Sequence, residues 1–406
     1  MNDASVLDSR YSWARLAVTL AIGSVSSVGI WAFIAVLPAV QTEFGLGRGE
    51  ASAPYAVSMV GFAFGNLLVG RLVDRFGVFR SLIGAALALS AGFAAATLAP
   101  SLLTLTAIHL LVGFGSAAGF GPLMADVSHW FMKRRGVAVT VAASGNYIAG
   151  ALWPWALSGV LAEEGWRAVY LWLAAIVLIV VLPLAFLLRR RAPAAAMAAA
   201  GARAASAAGE ARLSPPVLQA LLVVAGFACC MAMAMPQVHI VAYCVDLGYG
   251  PAVGAEMLSL MLMGGVVSRI ASGALADRIG GVRTLILGSG LQMLALILYI
   301  PFDGLVSLYA VSLVFGLSQG GIVPAYAIII REYLPPAEAG ARIGVVVMST
   351  IFGMAAGGWA SGWIYDQTGS YAAAFLNGVA WNLLNLAIAL TLIFRARSGG
   401  ARPALA

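Results

Sequence analysis

One arginine inside a long apolar segment is the residue of this sequence best suited to bind an anion. Arg269 lies eight positions before Asp277, so in a helix it sits about 12 Å from that end of the segment. Its guanidinium cannot lose its proton, and an arginine at the centre of a bilayer costs roughly 2.5–3.5 kcal/mol on insertion scales. Because its planar fork matches a carboxylate, Arg269 predicts a carboxylate-binding site. The alternative is a structural ion pair, or a side chain that reaches the membrane surface.

Two titratable residues precede Arg269 in the neighbouring apolar segment. Histidine is the side chain whose charge ordinarily changes between pH 5 and 8, and His239 is the histidine of the C-terminal half. We expect His239 to take part in substrate binding or proton coupling, and Asp246 to take part in proton coupling. The alternatives are a neutral histidine bonded to a backbone carbonyl and a solvated loop carboxylate.

Five further polar side chains are candidates for hydrogen bonds to a hydroxyl or keto group on the substrate. Residues of this kind also pack helices together in membrane proteins, so a structural role is the alternative for each of them. The candidates are Asn146, Tyr147, Tyr243, Gln319 and Tyr326.

A loop motif occurs twice. Residues 70–77 read GRLVDRFG and residues 273–280 read GALADRIG, and positions 74 and 277 are 203 residues apart in a chain of 406. Duplication of this kind in transporters produces two bundles that move about a site between them. The residues expected to serve conformational change are Gly70, Asp74, Arg75 and Gly77, then Gly273, Asp277, Arg278 and Gly280, together with Arg135.

Composition and the lengths of the apolar runs predict an all-α membrane protein. Hydrophobic residues make up 62% of the chain and charged residues 10%, against roughly 25% charged residues in soluble domains. The runs predict twelve transmembrane helices in two pseudo-symmetric six-helix bundles. The first bundle covers residues 1–188 and the second covers 216–406, with an alanine-rich, flexible cytoplasmic linker at 189–215.

The distribution of basic residues predicts the orientation. Most of the 23 Lys and Arg residues fall in the predicted inner loops and tails, and the outer loops hold Arg48 and Arg167. The positive-inside rule therefore places both termini in the cytoplasm, with the chain in the plasma membrane or the bacterial inner membrane. Arg269 is the one basic residue predicted inside a span.

The whole chain resembles the major facilitator superfamily, because the loop motif recurs in register. Residues 130–138 (WFMKRRGVA), followed by Ala143-Ser144-Gly145, and residues 238–243 (VHIVAY) are similar to the monocarboxylate-porter and oxalate/formate-antiporter branch. The resemblance implies that an arginine four residues before Gly273 binds the substrate. It also implies that the acid of each motif faces a helix start in the other half: Asp74 the eleventh helix, and Asp277 the fifth, near Arg135.

Departures from that branch narrow the predicted substrate. Oxalate/formate members carry a second basic residue on the eleventh helix, whereas the segment 343–365 contains no charge. One cation suits one carboxylate, so a monocarboxylate is favoured over a dicarboxylate. Animal monocarboxylate members carry an acid and a lysine at positions that correspond to Gly265 and Ala39 here. Their proton mechanism therefore does not transfer directly.

These observations favour a secondary active transporter that moves a small monocarboxylate by alternating access with proton coupling. The alternatives are a drug or metabolite efflux antiporter and an anion exchanger of the same superfamily. The three histidines form no metal or catalytic motif and no nucleotide-binding loop is present. We therefore expect no enzyme activity, cofactor, metal or nucleic-acid partner, and we expect a monomer.

Overall fold

The computed structural model describes residues 6–45, 53–192, 194–210 and 214–398, so Arg48 lies outside the described residues. Within these ranges the chain is helical and contains no β-strand, as a bilayer requires of a chain whose backbone groups must pair internally. The N-terminal half contains α1 (Arg10–Ser26), α2 (Val28–Phe44), α3 (Ala53–Phe76), α4 (Val78–Ala96), α5 (Leu102–Ser116), α6 (Gly121–Val127), α7 (Arg135–Ala156), α8 (Ser158–Ile176) and α9 (Leu182–Leu187).

The linker and the C-terminal half contain eight more helices. They are α10 (Ala194–Glu210), α11 (Pro215–Asp246), α12 (Pro251–Ile279), α13 (Gly281–Leu298), α14 (Leu305–Gln319), α15 (Ile322–Tyr333), α16 (Ala339–Thr368) and α17 (Tyr371–Ser398). The sequence predicts a flexible linker over 189–215, whereas α10 occupies most of that segment. Alanine has the highest helix propensity, and α10 is rich in it.

Eleven helical segments of the described chain are long and apolar enough to cross a membrane. The helix α7, with 22 residues, also has spanning length, and its polar Asn146 and Tyr147 lower its hydropathy. The predicted all-α membrane fold is therefore confirmed, and the twelve predicted spans agree with it. Among the interrupted spans are two at equivalent places of the two halves: α5 and α6 are separated by a short 3₁₀ turn, and α14 and α15 are separated by Gly320 and Gly321.

The chain forms two compact units, with borders inside α7, α10 and α16 and in the segments just before α7 and α16. The first unit comprises residues 1–132, 141–197 and 337–348, and the second comprises 133–140, 198–336 and 349–406. The core of the first unit packs Phe33, Leu89 and Phe93 against Tyr170. The core of the second unit packs residues of α11, α12, α13, α14 and α17.

Glycines let paired helices of each unit cross closely, and the crossings repeat at the same interval as the loop motif. A Cβ built on Gly113 of α5 would overlap the backbone of Ser58 on α3. A Cβ built on Gly316 of α14 would overlap the backbone of Met261 on α12. Both members of the second pair lie 203 positions after those of the first. Small residues at such crossings allow the backbone contact that holds membrane helices together.

Candidate substrate-binding site

The predicted anion-binding residue lies at the interruption between α14 and α15. Arg269 is buried, with 3% of its surface exposed, and its Nε–H donates to the carbonyl oxygen of Gly320 at 3.0 Å. Residues 265, 269 and 272 share one face of α12. Glycine at 320 permits this approach, because a Cβ there would overlap the backbone of Gly265. The position where animal monocarboxylate porters carry an acid is thus a close helix contact in this chain.

The guanidinium of Arg269 is oriented by its bond to the helix break. A helix that stops at Gln319 leaves carbonyl groups without intrahelical partners, and Gly320 presents one of them to Nε. Arginine has five N–H donors in a planar fork, which matches the two oxygens of a carboxylate. Bidentate binding of a carboxylate by such a fork is both charge-assisted and directional. Gln319, which is also buried, ends α14 at the same break.

Tyr326 is held in a buried polar network by helices other than α12. Its hydroxyl donates to Oδ1 of Asn385 at 2.9 Å, and Nδ2 of Asn385 donates to Oγ of Ser289 at 2.7 Å. The side chain of Asn382 donates to the Ser289 carbonyl at 2.6 Å. These bonds connect α13, α15 and α17, and the hydroxyl hydrogen of Tyr326 is donated within this network.

The structure brings His239, Tyr243 and Asp246 together at the C-terminal end of α11. Nε2 of His239 is 2.8 Å from the carbonyl oxygen of Gly358, and a carbonyl only accepts, so this nitrogen carries a proton. Tyr243 packs edge-on against Tyr371, with ring centroids 5.2 Å apart. The carboxylate of Asp246 is hydrogen-bonded to the Tyr365 hydroxyl.

Two stacked tyrosines form part of this cluster and were not predicted from the sequence. The rings of Tyr365 and Tyr371 lie 4.3 Å apart and nearly parallel, and the His239 ring lies 5.8 Å from Tyr371. The loop between α16 and α17 creates the stack by folding back at Gly369, where φ is +65°. Neither tyrosine stands in a recognisable motif, so only the fold reveals the cluster.

The acids of the two loop motifs bind helix starts. The carboxylate of Asp74 accepts from the N–H groups of Gly340 and Ala341 at 2.9 and 2.8 Å. The carboxylate of Asp277 accepts from the N–H groups of Gly136 and Val137 at 2.5 and 3.1 Å. In both cases a negative charge meets the positive end of a helix dipole.

The glycines of the motifs allow this close approach and the turn that follows it. A Cβ on Gly70 would overlap the Gly340 carbonyl, and one on Gly273 would overlap Thr140 and the Gly136 carbonyl. At the end of the loop, Gly77 has φ of +86° and Gly280 has φ of +85°. Side chains other than glycine rarely adopt this conformation.

The motif arginines and the two α7 candidates differ in their surroundings. Arg75 is exposed beside the Phe76 ring, and Arg278 lies in the last turn of α12. Arg135, the first residue of α7, interacts electrostatically with Glu332. Asn146 and Tyr147 belong to the first compact unit, whereas Arg269 belongs to the second.

The expectation that Arg269 is the one basic residue inside a span is wrong. Arg15 and Arg331 are also buried within spans. Arg15 is neutralised by Asp126: its Nε and Nη2 bond to both carboxylate oxygens at 2.8–3.0 Å. The Arg15 guanidinium also lies 4.4 Å from the Trp130 ring centroid. Arg15 lies near the N-terminal end of its span, so a count of charges along the sequence assigns it to the cytoplasmic tail.

Asn66 is the functional candidate that the repeat itself could have identified. It lies eight positions before Asp74, as Arg269 lies before Asp277. Its Oδ1 accepts from the Gly121 N–H at 3.0 Å, and its Nδ2 donates to the Phe62 carbonyl at 2.8 Å. Asn66 therefore binds the break between α5 and α6, just as Arg269 binds the break between α14 and α15.

Comparison with known proteins relates this geometry to a family. The family model of the Major Facilitator Superfamily matches residues 19–317. Monocarboxylate transporter 13 of the rat, Rattus norvegicus, is 29% identical over 380 residues, which cover 92% of this chain and 86% of the rat protein. Human Monocarboxylate transporter 11 is 26% identical over 387 residues, which cover 91% of this chain and 80% of the human protein.

A fungal efflux protein and a solved structure are also similar. The agnestins efflux protein AgnL12 of Paecilomyces divaricatus is 25% identical over 237 residues, which cover 58% of this chain and 53% of that protein. The crystal structure of the human organic anion transporter MFSD10 (TETRAN) matches with a TM-score of 0.73 and 16% identity, covering 97% of this chain and all of that one. The structural match extends the common fold to nearly the whole chain.

Proposed function

We propose that this chain, which belongs to the Major Facilitator Superfamily, is a secondary transporter that moves a small monocarboxylate by alternating access. The observation that carries the proposal is the buried guanidinium of Arg269, fixed by the Gly320 carbonyl at a break in a membrane helix. Relatives that bear the name monocarboxylate transporter support it. Both termini would lie in the cytoplasm of a cell whose inner or plasma membrane holds the protein as a monomer.

The charge balance of the buried arginines favours one carboxylate per transport cycle. Arg15 is committed to Asp126, and the described part of α16 from Ile343 to Tyr365 carries no charge. Arg331, the third buried arginine, lies in the last turn of α15, ten positions after Gly321. A second carboxylate bound at the break would therefore be buried without a fixed cation of its own, at a cost of several kcal/mol. Gln319 is placed at the same break to hydrogen-bond a hydroxyl or keto group beside the carboxylate.

The test is uptake by proteoliposomes that contain the purified protein. Labelled lactate and pyruvate represent monocarboxylates, oxalate and succinate represent dicarboxylates, and a cationic dye represents the efflux alternative. We expect saturable uptake of a monocarboxylate that Arg269→Lys largely removes, because lysine lacks the bidentate fork. Wild-type uptake by Arg269→Lys, or transport of the dye alone, would overturn the proposal.

Proton coupling is a separate step of the proposal and involves His239 and Asp246. A proton that travels with the anion lets the loaded carrier reorient without moving net charge. Uptake should therefore rise as external pH falls from about 7.5 to 5.5, the range in which histidine ordinarily gains its proton. The variant His239→Gln should flatten this dependence and leave substrate-for-substrate exchange intact. A wild-type protein that is insensitive to pH would indicate anion exchange instead.

A further inference from the structure

The first compact unit has an open groove between α3 and α4 that the transport proposal does not use. Its volume is about 320 Å³, at the lower end of the range for small-ligand pockets. Leu72 and Phe76 form one wall, Gly84 lies on the other, and Phe114 of α5 contributes to the lining. Arg80 stands at the end of the groove, in the first turn of α4.

The groove opens on a surface built to face acyl chains. Phe64, Leu68, Leu72 and Phe76 recur every four residues along α3, and each has 39–46% of its surface exposed. This spacing puts them on one stripe of the helix. On α4, Leu87 is exposed three residues after Gly84. Exposed large apolar side chains in a membrane protein contact lipid, so the occupant of the groove must be apolar along most of its length.

One end of the groove is strongly basic. Arg80 lines it, the Arg75 guanidinium lies 5.1 Å from the Phe76 ring centroid, and Nη2 of Arg191 donates to the Phe76 carbonyl at 3.2 Å. Among the ion pairs described for this structure, none involves these three arginines. The occupant therefore needs a negative charge at one end and an apolar remainder.

The repeated half shows which residue keeps the groove open. The position equivalent to Gly84, 203 residues later, is Leu287, which is 48% exposed. A Cβ added to Gly84 would meet no atom within 4 Å. The same helix face thus carries a leucine in one half and an open space in the other, while the equivalents of Arg80 and Phe114 are Arg283 and Leu317.

We propose that this groove binds one anionic phospholipid, with an acyl chain between α3 and α4 and the phosphate beside Arg80. Basic pockets between transmembrane helices recognise anionic headgroups in this way. Arg75 and Arg191 add positive charge at the same end, and Gly84 provides the space for the chain. The site is separate from Arg269, which belongs to the other compact unit.

Native mass spectrometry of the purified, delipidated protein tests the proposal. The protein is incubated with equal amounts of dioleoyl phosphatidylglycerol or dioleoyl phosphatidylcholine, and the fraction with one bound lipid is measured. We expect higher occupancy by phosphatidylglycerol. The variant Arg80→Gln should lower that occupancy about fivefold, since one arginine near a headgroup contributes about 1 kcal/mol. The repeat-equivalent variant Arg283→Gln should bind lipid as the wild type does.

Variants that fill the groove distinguish binding of an acyl chain from binding of the phosphate alone. Gly84→Leu should reduce bound phosphatidylglycerol to the background of the detergent, whereas Gly84→Ala, which leaves most of the space open, should retain most of it. Both variants should unfold at the wild-type temperature or above, because each replaces a helical glycine that faces open space. Undiminished binding by Gly84→Leu, equal binding of the two lipids, or equal competition by glycerophosphoglycerol without acyl chains would overturn the proposal.

Discussion

The two sequence halves place different side chains against the break in a membrane helix, a neutral amide in the first half and a cation in the second. At equivalent positions of the repeat, Asn66 binds the break in one span and Arg269 binds the break in the other. The first break presents an N–H group, which the neutral amide oxygen of Asn66 accepts. The second presents a carbonyl group, to which the guanidinium of Arg269 donates. Only the second solution leaves a positive charge beside the break.

This difference indicates how a duplicated fold acquires a specific site. The crossing glycines, the loop glycines and the motif acids are the same in both halves, because they hold helices together. The side chain eight positions before each motif acid contacts an interruption of a membrane helix, so it can differ between the halves while the crossing glycines stay the same. A cation at one of the two positions distinguishes the halves, and it is the residue on which the proposed anion site depends.

The largest expected effect comes from making the second half resemble the first. Arg269→Asn should abolish uptake of the monocarboxylate, because a bidentate pair contains two charged hydrogen bonds of about 1.5–3 kcal/mol each. Their loss corresponds to at least a hundredfold weaker binding. Equilibrium binding of labelled substrate to the purified variant measures it, with circular dichroism to establish that the helices are retained. Binding within tenfold of the wild type would contradict the assignment of Arg269.

A substitution at the equivalent position of the first half should lower stability and leave substrate binding unchanged. Asn66→Ala leaves the buried Gly121 N–H without its described acceptor, which costs about 1–3 kcal/mol. We expect a lower unfolding temperature in detergent and an unchanged KM for uptake. Asn382→Ala removes a buried amide from the second unit and serves as the matched control for general destabilisation. A rise in KM specific to Asn66→Ala would show that both breaks contact the substrate.

The fold could be predicted from the sequence because the patterns that specify it are local and occur twice. Apolar run lengths predicted the spans, and the recurrence of the motif around Asp74 and Asp277 predicted the duplication. The helical linker α10 was missed because flexibility was inferred from alanine content, although alanine favours helix.

The candidate site was only partly accessible for a different physical reason. Arg269 could be identified because a charge inside an apolar run is conspicuous. Its contact with Gly320 and the stacking of Tyr365 on Tyr371 depend on where helices cross and loops fold back. Asn66 could have been found by applying the repeat interval to Arg269, but an asparagine in an apolar helix is less conspicuous than a charge.

A smaller effect should distinguish the two motif acids. Asn in place of Asp74 or Asp277 removes the charge at a helix start, worth about 0.3–1 kcal/mol. Glu332 also lies near Asp277: its carboxylate accepts from the Gly281 N–H at 2.9 Å, and the two acids repel each other. Asp277→Asn relieves that repulsion, so it should lower the unfolding temperature less than Asp74→Asn does.

A double-mutant cycle tests this explanation of the difference. In a Glu332→Gln background, Asp277→Asn should become as destabilising as Asp74→Asn, because the repulsion is already absent. If the two substitutions differ equally in both backgrounds, Glu332 is not the cause, and the halves differ in the helix starts themselves.

The smallest effect concerns the acids at the ends of the first helical span of each half. Glu43 and Asp246 are 203 positions apart. Glu43 forms an exposed ion pair with Arg167 at 2.6 Å, whereas the described partner of Asp246 is the Tyr365 hydroxyl. The hydrogen bond from Arg167, aided by one from Trp166, holds the pKa of Glu43 below its ordinary value of 4.5 against the opposing effect of burial. The first half thus fixes its acid as a carboxylate.

The sign of the pH effect follows from that lowered pKa. A carboxyl whose pKa falls on folding stabilises the protein above its unfolded pKa, and this contribution is lost as pH decreases through the folded value. Exposed pairs of this kind contribute about 0.2–1 kcal/mol. The unfolding temperature of Glu43→Gln should therefore lie slightly below that of the wild type at pH 7, and the two should converge as the pH falls below 4.5 through the lowered pKa of Glu43. A difference for Glu43→Gln that stays constant down to acidic pH would mean that its carboxylate does not stabilise the fold through Arg167.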